Sequence, residues 1–422
     1  LNNMILIRKG MAQLDRSAPV RGTTSLTSLK LYNFFIYGAI SIFAGFLQLY
    51  LQEIGMTKLE IGSLMAIGPF VSLFANPFWG FWSDKSRNIR IVLMMMMGGT
   101  FVLAQGVFYA PSYAWIYVAM IFFYFFQSPL FAQTNSLILG YIDGTGQKFG
   151  SFRLWGSLGW ALTAVAAGPV IDRFGVSSVS IIFACMIAVA FVFSVLLPRQ
   201  PIASDTPIVT FRRFGKVMFN PYFMIFIGLG VLVSVPNAMN STFMSLYIVE
   251  MGGDKQMVGW AIFTSSILEV GVFLLLDRLL KRKMSILLGS LILVSLLFAL
   301  RWQLMALANN PMEVVFIQLM HSVTFGGYFY VGTQLTMLFI PRPYRSSGQA
   351  VYTMAWGGLS GVIAGLFGGW LFQSFGAEVM YNIGVFFSLI GAAGFAIMWL
   401  WNRRNGYQPT VLTEMGNMDE DK

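Results

Sequence analysis

Apolar residues in this chain gather into long runs separated by short polar intervals. A helix that crosses a bilayer needs about 20 such residues, each rising 1.5 Å. Runs of that length stand at 31–52, 59–82, 91–110, 113–139, 153–171 and 178–197. After a polar interval they resume at 221–248, 257–276, 285–306, 312–340, 352–372 and 379–401. The pattern predicts an all-α membrane protein with twelve transmembrane helices. The expected organisation is an N-terminal segment (1–30), a six-helix bundle (31–197), a linker (198–220), a second six-helix bundle (221–402) and a tail (403–422). An even number of crossings puts both ends of the chain on one side.

Lys and Arg decide which side. Of the 27 in the chain, Lys58, Arg173 and Lys255 fall on the face away from the tails, and Arg301 falls within a run. All the others fall on the tail face. Positive charge is retained on the cytoplasmic side, so both termini are expected in the cytoplasm and the protein in the inner (plasma) membrane. Residues 1–30 are polar and basic and lack the apolar core of a cleavable signal; Met4 or Met11 is the expected natural start.

Composition agrees with lipid as the solvent. Hydrophobic residues make up 57% and charged residues 10%, against roughly 25% charged in soluble chains. The net charge of +10 is accounted for by the tail-face bias, which removes the case for a nucleic-acid partner. With one His and one Cys, the lone Cys185 included, no metal-ligand cluster or disulfide is available. No nucleophile–base set and no glycine-rich phosphate loop is visible. The chain is therefore read as a transporter and not an enzyme. It is expected to act as a monomer without a cofactor, driven by a proton gradient instead of ATP.

The halves carry an internal repeat. Trp155-Gly156-Ser157-Leu158, Gly168 and Phe174-Gly175 recur as Trp356-Gly357-Gly358-Leu359, Gly369 and Phe375-Gly376, at a constant offset of 201 residues. Such repeats mark transporters whose site lies between the halves. Helix-bending positions Gly38, Pro69, Pro129, Pro236, Gly326 and Gly327 would let gates open around it.

Between the second and third runs stands Gly80-Phe-Trp-Ser-Asp84-Lys85-Ser-Arg87. It resembles the cytoplasmic Gly-x-x-x-Asp-Arg/Lys-x-x-Arg signature of the major facilitator superfamily. A degenerate counterpart, Asp277-Arg278 followed by Lys281, Arg282 and Lys283, occupies the equivalent place in the second half. The resemblance implies two pseudo-symmetric six-helix bundles that rock about a central cavity. Gly80, Asp84, Lys85, Arg87, Asp277 and Arg278 would then form a conformational latch.

Ionisable residues inside the hydrocarbon are costly and mark function. They are Arg153, Glu269, Arg301 and His321. Glu269 and His321 lie roughly 18 and 14 Å from the outer ends of their runs, so with Arg301 they are expected to meet near the midplane as a proton site. The plainer alternatives are a structural Glu269–Arg301 pair, a packing histidine and a snorkelling Arg153.

Phe149-Gly-Ser-Phe-Arg153-Leu-Trp-Gly-Ser-Leu-Gly-Trp160 is similar to the start of the fifth span in the lactose-permease-like branch, which holds the oligosaccharide:proton symporters and the phenylpropionate permeases. The resemblance implies that Arg153 binds sugar hydroxyls and Trp160 stacks on a sugar ring. Arg301, Glu313-Val314-Val315 and His321 keep the branch's spacing, and Glu269 resembles its span-eight carboxylate, about one turn later. Asn135 and Thr324 replace two of the branch's carboxylates, Gln318 replaces a lysine, and Asn237 and Asn240 stand where aspartates are usual.

The expected function is proton-coupled symport of a small polar solute, a saccharide or nucleoside, into the cell. Arg153, Trp160, Asn135, Glu269, Asn237, Asn240 and Gln334 would serve recognition, and Glu269, His321 and Arg301 proton coupling. Two alternatives stay open: uptake of an aromatic or other organic acid, paired with Arg153 and Arg301, and a proton-antiport drug or metabolite exporter with an adaptable apolar cavity near Met94–Met97. Membrane-impermeant labelling of cysteines placed in the two tails is expected to find both on the cytoplasmic side. Tails on opposite sides would overturn the even count.

Overall fold

The computed structural model describes residues 23–86, 88–142, 147, 149–197, 220–341 and 345–406. The linker 198–219 and most of the tail fall outside them. Eleven helical stretches among the described residues are long and apolar enough to cross a membrane. Spans one to six are Leu26–Glu53, Lys58–Ser83, Ile89–Phe108, Tyr113–Ile142, Phe149–Phe174 and Ser178–Val195. Spans seven to ten are Pro221–Glu250, Lys255–Leu279, Met284–Leu307 and Pro311–Phe339. The last stretch, Ser347–Asn405, is two spans joined at Gly376, whose φ of +84° takes the backbone out of the helix. Counted so, the described residues hold twelve candidate crossings, and the chain is an all-α, multi-pass membrane protein. The first helix begins at Thr23, earlier than the apolar run begins, and the last extends to Asn405.

Helix starts follow from local chemistry. Asn220 and Asn310 accept a backbone N–H through their side chains, and Pro221 and Pro311 occupy the first helical turn, where a missing N–H costs nothing. Asp254 and Ser112 cap spans eight and four in the same way.

Packing repeats between the halves. Span one lies against spans five and six, and span three against span six. Span seven lies against eleven and twelve, and span nine against twelve. Across the interface, span five meets eight and span two meets eleven.

The glycines of the sequence repeat make that interface possible. A methyl on Gly168 would come 2.7 Å from Gln256 Cα, and one on Gly369 3.0 Å from the Lys58 carbonyl. Each therefore seats the start of a helix from the other half. Four residues on, the side chains repeat the relation. Both Asp172 carboxylate oxygens accept N–H groups at the start of span eight, from Lys255 and Gln256, at 3.0 Å. Gln373 accepts the Lys58 N–H at the start of span two at 3.0 Å. Gly175 and Gly376 then end the two helices at φ +83° and +84°, a region that side chains avoid.

The Lys58 ammonium adds an ion pair to Glu250 at 2.7 Å and lies 3.9 Å from the Phe372 ring centre. Gly361 and Gly365 let span eleven press on Pro69 and on the Gly62 backbone, and span eleven takes π-helical turns at Met354–Leu359 and Ala364–Gly368 along this contact. The Gly168, Gly369, Asp172, Gln373 and Lys58 ties lie towards the face away from the tails, where the halves are closed, and the contact of Gly361 with Pro69 carries the span two–span eleven packing to mid-span.

Replacing Asp172 with Ala removes a two-pronged cap worth about 1–2 kcal/mol. Spin labels on the far ends of spans five and eight are expected to report a longer, broader distance distribution. An unchanged distribution would show that the cap does not hold the halves together.

Candidate functional site

Between the halves lies a cavity of about 740 Å³, within the range of small-molecule sites. Spans one, four and five supply one wall, and spans seven, eight and ten the other. Phe149, the first residue of its helix on the tail face, is among the lining residues, so the cavity runs from mid-bundle towards that face.

The sequence-predicted recognition residues converge here. Arg153, Trp160 and Asn135 line the wall from the first half, and Glu269, His321, Asn237 and Asn240 the wall from the second. Arg153 donates to the Tyr37 hydroxyl and lies 4.8 Å from the centre of its ring. The Asn135 and Asn237 Oδ1 atoms are buried acceptors without a donor among the described residues. Asn240 is different. Its amide donates to Gln318 Oε1 at 3.2 Å and its oxygen accepts from Tyr381 at 3.1 Å, so the framework already uses its polar atoms. Gln334 and the Met94–Met97 run do not line the cavity.

The expected meeting of Glu269, Arg301 and His321 is realised only in part. Arg301 is wholly buried and lies 3.1 Å from His321 Nδ1 through Nη1, which also donates to Thr324 at 3.3 Å, while Nη2 donates to Gln318 Oε1 at 2.6 Å. A guanidinium has donors only. His321 Nδ1 must therefore accept, and the ring proton sits on Nε2. The Trp302 ring lies 4.6 Å from the guanidinium carbon.

No carboxylate among the described residues bonds to Arg301, and Glu269 forms neither an ion pair nor a hydrogen bond among them. The residue that faces Glu269 electrostatically is Arg153, from the other half. Span eight turns Glu269 towards the cavity instead of towards span nine, an orientation that spacing alone does not convey.

Sequence reasoning missed Tyr37 and Tyr381. Both are tyrosines within apolar helices, with partners 116 and 141 residues distant, and no local pattern marks them.

Among the described residues, no bond joins the latch residues Gly80, Lys85, Asp277 and Arg278 to one another. A methyl on Gly80 would meet nothing within 4 Å among the described residues, so none of their helices is pressed against it. Lys85 lies 5.9 Å from the Trp82 ring centre. Asp277 accepts from Arg282 at 3.2 Å and from Tyr330 at 3.0 Å, both within its own half. Arg278 forms no ion pair among the described residues. Arg87 and the Asp84 side chain lie outside them.

Gln318, fully buried at the cavity wall, accepts two bonds at one oxygen. Gln318→Leu would strand a buried guanidinium arm and an amide, a loss of roughly 3–5 kcal/mol. Thr324→Val removes one neutral acceptor, roughly 0.5–1.5 kcal/mol. Thermal unfolding in detergent is expected to rank them in that order, and equal stability would contradict the cage.

Residues 26–383 match the model of the MFS_1 like family. The chain is 26% identical over 386 residues to the maltose permease of Geobacillus stearothermophilus, covering 90% of this chain and 95% of that one. It is 24% identical over 363 residues to a probable 3-phenylpropionic acid transporter of Escherichia coli strain K12, covering 82% and 90%. Among solved structures, that of the nucleoside transporter NupG superposes with a TM-score of 0.74 at 14% identity, covering 90% of this chain and 99% of that one.

Proposed function

This chain belongs to the MFS_1 like family of major facilitator transporters and is not an enzyme, and from that premise we propose that it is a proton-coupled symporter carrying a small polar solute, a saccharide or nucleoside, into the cell. The observation that carries the reading is Glu269. Among the described residues it is the only carboxylate lining the cavity and has no bonded partner, and the Arg153 charge of the other half acts on it across the interface.

A carboxylate so placed can exchange a proton for a change in its neighbours. Protonation from the outer side would remove its attraction for the Arg153 charge, and hydroxyl groups of the solute would bond to both side chains. Arg153, the unsatisfied Asn135 and Asn237 oxygens and the Trp160 ring match a hydroxylated ligand with donors, acceptors and a flat apolar face. Arg301 and His321 support the wall: with Nδ1 facing the guanidinium, His321 keeps Nε2–H as a donor. The two bundles rock about this site, the glycine contacts closing the far face and the Gly80–Arg87 and Asp277–Arg278 segments the tail face. Both termini lie in the cytoplasm.

A second reading has its own observation. Arg153 lines the cavity and the Arg301 guanidinium lies behind its wall, bonded to the lining residues His321 and Gln318; two guanidinium groups so placed, against the single carboxylate among the described lining residues, favour an organic acid.

In proteoliposomes, adding maltose or uridine is expected to alkalinise the outside medium, and Glu269→Gln should abolish that signal. Uptake indifferent to both pH and Glu269→Gln would sink the reading. A response to 3-phenylpropionate that its methyl ester does not reproduce would transfer the assignment to the acid.

A further inference from the structure

Two spans lining the cavity are interrupted, and each interruption is mended by the other helix. Span eight consists of Lys255–Ile267 and Glu269–Leu279, and span ten of Pro311–Ile317 and Leu319–Phe339. Single residues, Leu268 and Gln318, separate the segments.

The sequence supplies a cause in span eight. Thr264, Ser265 and Ser266 stand in succession, and their hydroxyls bond back to the carbonyls of Ala261 and Ile262 at 2.7 to 3.1 Å. Such back-bonding competes with the helix ladder and bends helices. In span ten the Gln318 side chain does likewise, donating to the Val314 carbonyl at 3.3 Å.

Leu268 and Gln318 keep right-handed helical dihedrals and the Val314 carbonyl still accepts the Gln318 N–H at 3.3 Å, so each break is local; even so, carbonyls of the turn before it are left short of amide donors. In hydrocarbon those groups must find partners within the protein. Ser265 lies in the last turn of the first segment of span eight, and its carbonyl accepts from Ser322 Oγ of span ten at 3.0 Å. Val315 lies in the last turn of the first segment of span ten, and its carbonyl accepts from Thr264 Oγ1 of span eight at 3.0 Å. The exchange is reciprocal.

Immediately beyond the mended points stand Glu269, which opens the second segment of span eight, and His321, three residues past Gln318. Below them the helices stay close: a methyl on Gly326 would come 3.6 Å from Val272 Cγ1 and 3.9 Å from Glu269 Cγ.

We propose that Thr264 and Ser322 are positioning residues that act through this exchange of hydroxyls. They hold the interrupted segments of spans eight and ten in register, so that Glu269 and His321 move together when either helix bends. The importance of that register for transport rests on the role proposed above for Glu269; the mechanical link between the helices does not.

The test uses the full chain in lipid nanodiscs without substrate, comparing Ser322→Ala, Thr264→Val and Thr264→Ser by amide hydrogen exchange. Loss of one hydrogen bond corresponds to about five- to tenfold faster exchange. Ser322→Ala is expected to show that acceleration on the opposite helix, around Ser265–Glu269, and Thr264→Val around Val315–Leu319. Thr264→Ser, which keeps the hydroxyl, should retain the parent rates. The infrared band of the Glu269 carboxyl, assigned by its loss in Glu269→Gln, should shift in the two hydroxyl-deleted variants and not in Thr264→Ser.

Acceleration confined to the mutated helix, Thr264→Ser behaving like Thr264→Val, or an unmoved carboxyl band would each overturn the proposal. Should Ser322→Ala fail to fold, Thr264→Val and Thr264→Ser carry the comparison alone. Neither measurement involves transport. A finding that uptake is not proton-coupled would therefore remove the proposed function and leave these outcomes to be read by themselves.

Discussion

Inside a bilayer no water is at hand to satisfy a polar group, and every donor, acceptor and charge must find its partner in the protein. That single constraint shapes the architecture and the site together. It makes the crossings helical, because only a helix pairs its own backbone throughout. It places the Arg301 guanidinium among the Gln318 and Thr324 side-chain oxygens and the His321 ring nitrogen. It also requires that the carbonyls exposed at the two interruptions be covered, and hydroxyls of the facing helices cover them.

The same economy explains how one face can close without a dedicated lock. Helix starts carry unpaired N–H groups. At the far face those of spans two and eight are taken by Gln373 and Asp172, residues at equivalent places in the two halves. Glycines at Gly168 and Gly369 bring the backbones near enough for those side chains to reach. Closure therefore consists of bonds that water could replace once the halves part, which keeps its strength modest and its reversal accessible. At the opposite face Gly80 meets nothing among the described residues and Asp277 bonds within its own half, consistent with a cavity that extends that way.

A site built across such an interface differs in kind from one carved within a bundle. Arg153 and Glu269 come from different halves, and their separation is set by how the halves lie. The binding groups are thus the same parts that register the conformation. Asn240 shows the complementary case: bonded on both sides to Gln318 and Tyr381, it ties span seven to the buried cage and so to the framework behind the cavity wall.

Much of this was legible in the chain itself. Run length and the tail-face bias of Lys and Arg yield the crossings and the expected orientation, because hydrocarbon thickness and charge exclusion act on each segment independently of its neighbours. The repeat at an offset of 201 residues pointed to a site between two related halves, and the structure adds that its Gly168 and Gly369 sit at equivalent backbone contacts. The rarity of intramembrane charge singled out Arg153, Glu269, Arg301 and His321. What only the tertiary structure decided is how those groups are shared: Arg301 with His321 and Gln318, Glu269 with the cavity, Tyr37 with Arg153, and the hydroxyls of Thr264 and Ser322 with each other's helices. A one-dimensional pattern reports which residues cannot face lipid. Which of several buried partners each one meets depends on helix rotation and on interruptions that the packing of the whole bundle sets.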